Sequence, residues 1–151
     1  MQAAIEMACR SRAAGDYAVG SVVAKDDRII SMAGNRTHID RDATQHAEMI
    51  AIREAARVLG IKDLSSCTLY ATHEPCPMCM GAVVWSRIPH VVFGATMEDH
   101  KRFRDQQGNS QWRWRVIDIP ASVVAKQAEP PVALLRGFMR EECLALFHST
   151  G

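Results

Sequence analysis

Two short segments carry most of the information in this chain: His-Ala-Glu at residues 46–48 and Pro-Cys-Pro-Met-Cys at residues 75–79. Imidazole nitrogen and thiolate sulfur are preferred zinc ligands, so His46, Cys76 and Cys79 form a candidate metal site. Three protein ligands leave one tetrahedral position open for water, which zinc turns into a nucleophile near neutral pH. Glu48 lies beside these ligands in sequence and is the predicted catalytic residue, because the chemistry also needs a group that moves protons.

The second segment has the features of a helix start. Cys76 and Cys79 are three positions apart, so they fall on one face of a first helical turn. The unpaired N–H groups and positive dipole end of that turn favour thiolates. Pro75 suits the entry to the helix, which we expect to run to about Ser86.

A second helix is predicted over residues 43–59. Asp42, with Gln45 three positions on, is a candidate cap, and Gly60 is a typical C-terminal stop. The apolar stripe of this helix consists of Ile52, Ala55, Ala56 and Leu59. Glu48 precedes Ile52 by four positions and therefore faces the core side. A carboxylate is expensive to bury there unless it has a catalytic or metal-adjacent role.

Three other interpretations of the two segments stay open. Cys76 and Cys79 could form a thioredoxin-like redox pair, which would leave His46 and Glu48 unexplained. His73 could act as a fourth ligand and close a purely structural zinc site. Alternatively, the His-Ala-Glu segment could be a solvated helix surface and the cysteines buried apolar residues.

Composition predicts one domain over residues 1–151. The chain is 48% hydrophobic and has no stretch of 18 or more apolar residues, so it suits a soluble protein with one core and no membrane span. Its first ten residues lack the pattern of a signal peptide, and five cysteines are an odd number for a disulfide framework. We therefore expect a cytoplasmic protein. A net charge of +1 creates no global field for nucleic acid.

Helices and strands are predicted to alternate along the rest of the chain. Strands are expected at residues 17–25, 28–33, 67–72, 90–93 and 112–117, and further helices at residues 2–14 and from Pro130-Pro131 onward. The last helix is predicted from a stripe of apolar residues at helical spacing: Val132, Leu135, Met139, Cys143 and Leu146.

Four segments in this order and spacing carry a family resemblance: HAEMIAIREA, CTLY, EPCPMCMGA and SRIPHVVFGA. They resemble the cytidine and deoxycytidylate deaminase superfamily, in the branch of guanine deaminases, fungal-type cytosine deaminases and tRNA adenosine deaminases. The pattern H-x-E…P-C-x-x-C is a known signature of zinc nucleobase deaminases. The resemblance implies an α/β protein with a three-layer α/β/α fold, a mixed five-stranded sheet with helices on both faces, Zn²⁺ between two helix N-termini, and a homodimer.

Two substrate contacts are also implied by the resemblance. Asn35 matches the asparagine that contacts the base in the family, although on its own it suits a turn after a strand. Trp85 is similar to the tryptophan of bacterial guanine deaminases, although a tryptophan at a helix end also suits a core. The predicted function is zinc-dependent hydrolytic deamination of an amino-substituted nucleobase or small analogue, as in guanine deaminases, with ammonia as product and a heterocyclic amine and water as substrates.

Two alternative functions remain. A tRNA adenosine-to-inosine deaminase would need RNA contacts, for which Lys101, Arg102 and Arg104 offer cations and the aromatic residues Phe103, Trp112 and Trp114 offer stacking surfaces. Acidic neighbours dilute this cluster, so RNA contact is not favoured. The other alternative is a non-catalytic module that zinc stabilises for assembly.

Overall fold

A mixed sheet of five strands in the order β2-β1-β3-β4-β5 organises the molecule, in a computed structural model that describes residues 1–107 and 115–147. The elements of the described residues follow in chain order: α1 (Gln2–Ala13), β1 (Gly20–Lys25), β2 (Arg28–Gly34), α2 (Ala47–Leu59), β3 (Thr68–His73), α3 (Pro77–Trp85), β4 (His90–Ala95), α4 (Met97–Gln107), α5 (Ala121–Gln127), β5 (Ala133–Arg136) and α6 (Arg140–Phe147).

The strands pair in two ways. β1 is antiparallel to both β2 and β3, and β4 is parallel to both β3 and β5. Because β3 and β4 are parallel, the chain must cross over between them, and α3 makes that crossover. The carboxyl ends of β3 and β4 therefore meet at one edge of the sheet, which is where side chains for chemistry commonly collect in α/β folds.

Helices cover both faces of the sheet. On one face α2, α3 and α5 bury the larger apolar cluster, which includes Ala51, Val83 and Ala125. On the other face α1 and α6 pack together and against the sheet, and smaller clusters form around Ala8 and Phe147. The expected three-layer α/β/α fold is confirmed. None of the described helices is both long enough and apolar enough to cross a membrane.

The helix predicted over residues 43–59 begins later than expected. Its first residue is Ala47, and the backbone of His46 is extended. The carboxylate of Asp42 accepts hydrogen bonds from the backbone N–H and hydroxyl of Thr44, both at 2.8 Å, so it stabilises a turn instead of capping the helix. The predicted end is confirmed, since Gly60 has a φ of 67° in the left-handed region.

The prediction of a helix from Pro130 onward is wrong for its first half. β5 forms there and pairs with β4, and Leu135 is 54% exposed instead of buried. Gly137 and Met139 have positive φ values of 74° and 54°, so no helix can continue through them. The second half is helical as α6, which buries Cys143.

The region after β4 differs from expectation as well. α4 and α5 were not predicted, because α4 has few apolar residues and α5 is short. Of the strand predicted at residues 112–117, residues 115–117 form no strand, and residues 112–114 lie outside the described part of the chain.

Candidate active site

The metal-ligand candidates lie at the N-termini of two helices. His46 is the residue before the first turn of α2, and Cys76 is in the same position before α3. β3 ends at His73, three residues before Cys76, so the sheet fixes where α3 begins. Pro77 is the first residue of α3, a position that tolerates proline because its N–H would have no helical partner.

Three ligand atoms converge at this point. The two sulfurs of Cys76 and Cys79 are 3.7 Å apart, and His46 Nδ1 lies 3.7 Å from the Cys76 sulfur and 3.5 Å from the Cys79 sulfur. Tetrahedral zinc with ordinary bond lengths requires about 3.8 Å between two sulfurs and about 3.6 Å between sulfur and nitrogen. The three side chains are therefore spaced to hold Zn²⁺, the cofactor that the sequence predicts, and three protein ligands would leave one tetrahedral position for water.

The two thiols differ in acidity. The contacts with Cys79 and His46 together lower the pKa of Cys76 to about 4, against the opposing effect of burial. The same sulfur contact, together with burial, raises the pKa of Cys79. Cys76 is thus a thiolate at neutral pH, the form that binds zinc, and metal binding has to displace the proton of Cys79.

Glu48 lies in the first turn of α2, beside the three ligands. It is 3% exposed, as its position before the apolar stripe predicts. Its Oε2 is buried and accepts no hydrogen bond from the described residues. Burial raises the pKa of Glu48, with an opposing effect from His46. A buried carboxyl with an unused oxygen and a raised pKa has the properties of a group that exchanges protons with a substrate.

A cavity of about 610 Å³ lies above these residues. Its wall includes His46, Glu48, Cys76 and Asn35, so two of the three predicted metal ligands, the predicted catalytic residue and one predicted substrate contact border the same cavity. The volume is within the usual range for small-molecule sites. Asn35 follows the end of β2 and is 4% exposed.

Trp85 does not join this group. It is the last residue of α3, is 88% exposed and does not border the cavity of this protomer. The expectation that it contacts substrate is therefore not met within the protomer. α3 buries Cys79, Met80 and Val83, and Trp85 projects from its end away from that packing. Trp85 is not a core residue either.

His73 is not a fourth ligand. Its Nδ1 lies 2.8 Å from the hydroxyl of Thr72, and it is not part of the His-Cys-Cys cluster found among the described residues. Burial lowers the pKa of His73 to about 3, so its imidazole is neutral. The closed structural zinc site therefore has no support from His73.

The role of Glu74 was not predicted from the sequence. Its Oε2 accepts the backbone N–H of Met97 and its Oε1 that of Ala121, each at 2.9 Å. One carboxylate thus binds the N-termini of α4 and α5, where negative charge is favourable, and Met97 and His100 of α4 border the cavity. Asp16 is a second residue that was missed: its buried carboxylate accepts a hydrogen bond from the side-chain amide of Asn35.

An α/β/α sandwich with a His-Cys-Cys zinc site and an adjacent buried glutamate is the arrangement of zinc-dependent deaminases. Residues 1–95 match the family described as the cytidine and deoxycytidylate deaminase zinc-binding region. The chain belongs to this family, and it is accordingly a zinc-dependent hydrolase that acts on C–N bonds of nucleobases or nucleosides.

Similar proteins include guanine deaminases and tRNA-specific adenosine deaminases. The guanine deaminase of Bacillus subtilis (strain 168) is 38% identical over 122 residues, which are 80% of this chain and 76% of the relative. The tRNA-specific adenosine deaminase of Haemophilus influenzae is 43% identical over 152 residues, covering 94% of this chain and 84% of the relative.

Similar solved structures include members of both kinds. A guanine deaminase from Nitrosomonas europaea superposes with a TM-score of 0.78 at 25% identity, covering 97% of this chain and 80% of the other. A structure from a study of tRNA:A34 deaminases gives 0.72 at 28% identity, covering 97% and 96%. Both groups share the deaminase chemistry and differ in substrate.

Proposed function

We propose that this chain hydrolytically removes the amino group of a free nucleobase or a small analogue such as guanine. The observation that carries the proposal is the tetrahedral spacing of His46, Cys76 and Cys79 beside a buried Glu48 at one cavity. Zinc, when bound there, supplies a Lewis acid that makes a hydroxide nucleophile available near neutral pH.

Glu48 moves the protons of the reaction. It takes a proton from the attacking water and gives it to the ring nitrogen beside the amino-bearing carbon. It later carries the remaining hydroxyl proton to the amino group, which leaves as ammonia. The carbon keeps the water oxygen as an oxo group. The unused Oε2 of Glu48 and its raised pKa support this role, because the residue must accept and return a proton within one turnover.

A free base is favoured over RNA by the charges of the molecule. Within the basic cluster of α4, Lys101 pairs with Asp118, and Arg104 donates to Asp105 at 2.8 Å. These carboxylates reduce the positive potential that a phosphate backbone would require. Similarity to a guanine deaminase supports the same substrate class.

Adenosine in tRNA is the second candidate substrate. Its support is a tRNA-specific adenosine deaminase that is 43% identical and matches 94% of this chain.

We also propose that the protein is a homodimer. The 88% exposed Trp85 is a large apolar side chain at a protein surface, which commonly marks an interface. Light scattering on the wild type and on Trp85→Ser measures this directly. We expect a dimer for the wild type and a larger monomer fraction for the variant. A monomeric wild type would contradict the proposal.

The function is tested by measuring ammonia release. The purified protein is offered guanine, cytosine, adenine, their nucleosides, pterin and triazine analogues, and a tRNA anticodon stem-loop, with Glu48→Gln as the inactive control. We expect release from at least one free base. Release from the stem-loop alone would identify the tRNA enzyme. A folded, zinc-bound protein that releases ammonia from none of them would be the non-catalytic assembly module.

A further inference from the structure

The side-chain amide of Asn35 is held from two sides. Its Nδ2 donates to Asp16 Oδ1 and to the hydroxyl oxygen of Thr37, each at 2.8 Å. The backbone is fixed as well, since Asn35 N–H donates to the carbonyl of Val19 at 2.9 Å and the Asn35 carbonyl accepts from the hydroxyl of Ser11 at 2.6 Å. Both amide protons of Asn35 are therefore already used.

Asp16 is the centre of this network. It is fully buried, and its Oδ2 accepts the backbone N–H groups of His38 at 2.8 Å and Ile39 at 3.0 Å. Its Oδ1 accepts the backbone N–H of Tyr17 at 2.9 Å and the hydroxyl of Thr37 at 3.2 Å, besides the Asn35 amide. One carboxylate thus fixes the loop that follows β2 and the side chain of Asn35 together.

The charge state of Asp16 decides which way the Asn35 amide points. Burial raises the pKa of Asp16, but the hydrogen bonds from Ile39, Asn35, Tyr17 and His38 outweigh it, and the net effect lowers the pKa. An ionised carboxylate accepts hydrogen bonds and cannot donate them, so it holds the NH2 group of Asn35 and excludes the flipped amide.

The carbonyl oxygen of the Asn35 side chain is available to accept a hydrogen bond from a molecule in the cavity. Among residues 1–107 and 115–147, no side chain or backbone group donates to Asn35 Oδ1. Asn35 borders the cavity, so Oδ1 is an acceptor presented to whatever binds there. Filling such a site with a group that cannot donate leaves a desolvated oxygen without a partner, which is costly.

We infer that Asp16 is a positioning residue that locks the amide of Asn35, so that Asn35 Oδ1 accepts an N–H of the substrate ring. This inference rests on the proposed function and refines its substrate class. A free base keeps an N–H at the nitrogen that carries the sugar in a nucleoside. The adenine ring of a nucleoside has no ring N–H, and its amino group is the group that reacts. The locked acceptor therefore selects a free base over adenosine.

The first test is Asp16→Asn. The backbone N–H groups of His38 and Ile39 hold the new carbonyl oxygen, so the new NH2 group faces Asn35 and forces its amide to flip. The cavity then presents a donor in place of an acceptor. We expect KM for the free base to rise by about tenfold or more and kcat to change by less than about threefold, because a mismatched hydrogen bond weakens binding.

Asp63→Asn is the matched control. It makes the same change at a carboxylate that also accepts a backbone N–H, from Ser65 at 3.0 Å, but does not border the cavity. We expect its KM to equal that of the wild type. An unchanged KM in a folded Asp16→Asn, or equal rises in KM for both variants, would overturn the inference.

The double variant Asp16→Asn/Asn35→Asp tests the positioning role itself. The exchanged pair restores an NH2-to-carboxylate hydrogen bond with the opposite polarity, and the second oxygen of the introduced carboxylate again faces the cavity. We expect KM to return at least about threefold toward the wild-type value compared with either single variant, which is non-additive behaviour. A purely structural role of Asp16 predicts no such rescue, so additive losses would contradict the inference.

A readout that does not depend on turnover separates this inference from the proposed function. In the wild type, the side-chain NH2 protons of Asn35 should exchange with solvent at least about tenfold more slowly than those of an unfolded reference peptide, as measured by nuclear magnetic resonance. Exchange as fast as in the reference would show that the amide is not locked. Slow exchange in a protein that deaminates no base would refute the proposed function alone.

Discussion

At the scale of single residues, the sulfur atoms decide metal binding. Cys76→Ala and Cys79→Ala each remove one of three protein ligands, so we expect zinc content to fall from about one per protomer to well below that value. Cys67→Ala is the matched control, because Cys67 is another buried cysteine that lies outside the metal cluster. Elemental analysis of the three purified variants measures the difference. Undiminished zinc in both ligand variants would remove the site assignment.

Glu48 should be separable from metal binding. Glu48→Gln keeps the shape of the side chain and removes the proton carrier, so we expect turnover to fall by about 100-fold or more while zinc content and unfolding midpoint are retained. Glu54→Gln on the same helix serves as control, since the side chain of Glu54 is 41% exposed and forms an ion pair with Arg57. Near wild-type turnover in Glu48→Gln would assign proton transfer to another group.

Some residues of the site could be predicted from short sequence motifs, and others depend on contacts between distant parts of the chain. His46, Glu48, Cys76 and Cys79 could be predicted because metal chemistry limits the residue types and the spacing within each segment is short. Asp16 could not, because its hydrogen bond to Asn35 joins residues 19 positions apart. Contacts of this kind appear only once the chain has folded.

At the scale of elements, Asp99 in the first turn of α4 connects that helix to α6. Its carboxylate is 4% exposed, accepts from Thr96 N–H at 3.0 Å and pairs with the Arg140 guanidinium at the start of α6. Burial raises the pKa of Asp99, but Arg140 and Thr96 outweigh it and lower the pKa overall.

We expect Asp99→Asn to lower the free energy of unfolding by about 2 kcal/mol at neutral pH, the usual size for a charged hydrogen bond. Because the folded pKa is lowered, the contribution is complete above the unfolded value of about 3.9 and is lost as the pH falls through the lower folded pKa. Urea unfolding at several pH values measures the difference in the free energy of unfolding between variant and wild type. Glu141 pairs with the same arginine but is 82% exposed, so Glu141→Gln should leave the free energy of unfolding almost unchanged. A difference in unfolding free energy between Asp99→Asn and wild type that grows as the pH falls would contradict this account.

The helices and strands also differ in how well they could be predicted, because some follow local sequence patterns and others depend on long-range pairing. α1, β3 and the end of α2 follow local patterns, and Gly60 supplies the stop that its left-handed φ requires. β5 is four residues long and mostly exposed, and it exists because it pairs with β4 some forty positions earlier in the chain. The apolar spacing through Leu135 matched a helix only by coincidence, so the pattern could not reveal the strand.

At the scale of the whole molecule, the balance of charge bears on the substrate. The chain has 18 basic and 17 acidic residues, and Lys101 and Arg104 on α4 are already paired with carboxylates. A free base carries no phosphates, so its binding should depend little on ionic strength. An RNA substrate releases counterions on binding, and its affinity falls steeply as salt rises.

We therefore expect KM for the free base to change by less than about twofold between 50 and 200 mM salt, roughly the range over which phosphate contacts weaken binding by orders of magnitude. Replacing Lys101, Arg102 and Arg104 together by Ser should change this activity little. Replacing Arg10, Arg12 and Arg28 by Ser removes the same charge elsewhere on the molecule. This control variant should also show little change in activity on the free base. Steady-state kinetics across the salt series measures all three proteins. A steep salt dependence on an anticodon stem-loop, flattened only by the α4 variant and accompanied by no activity on free bases, would instead identify RNA as the substrate.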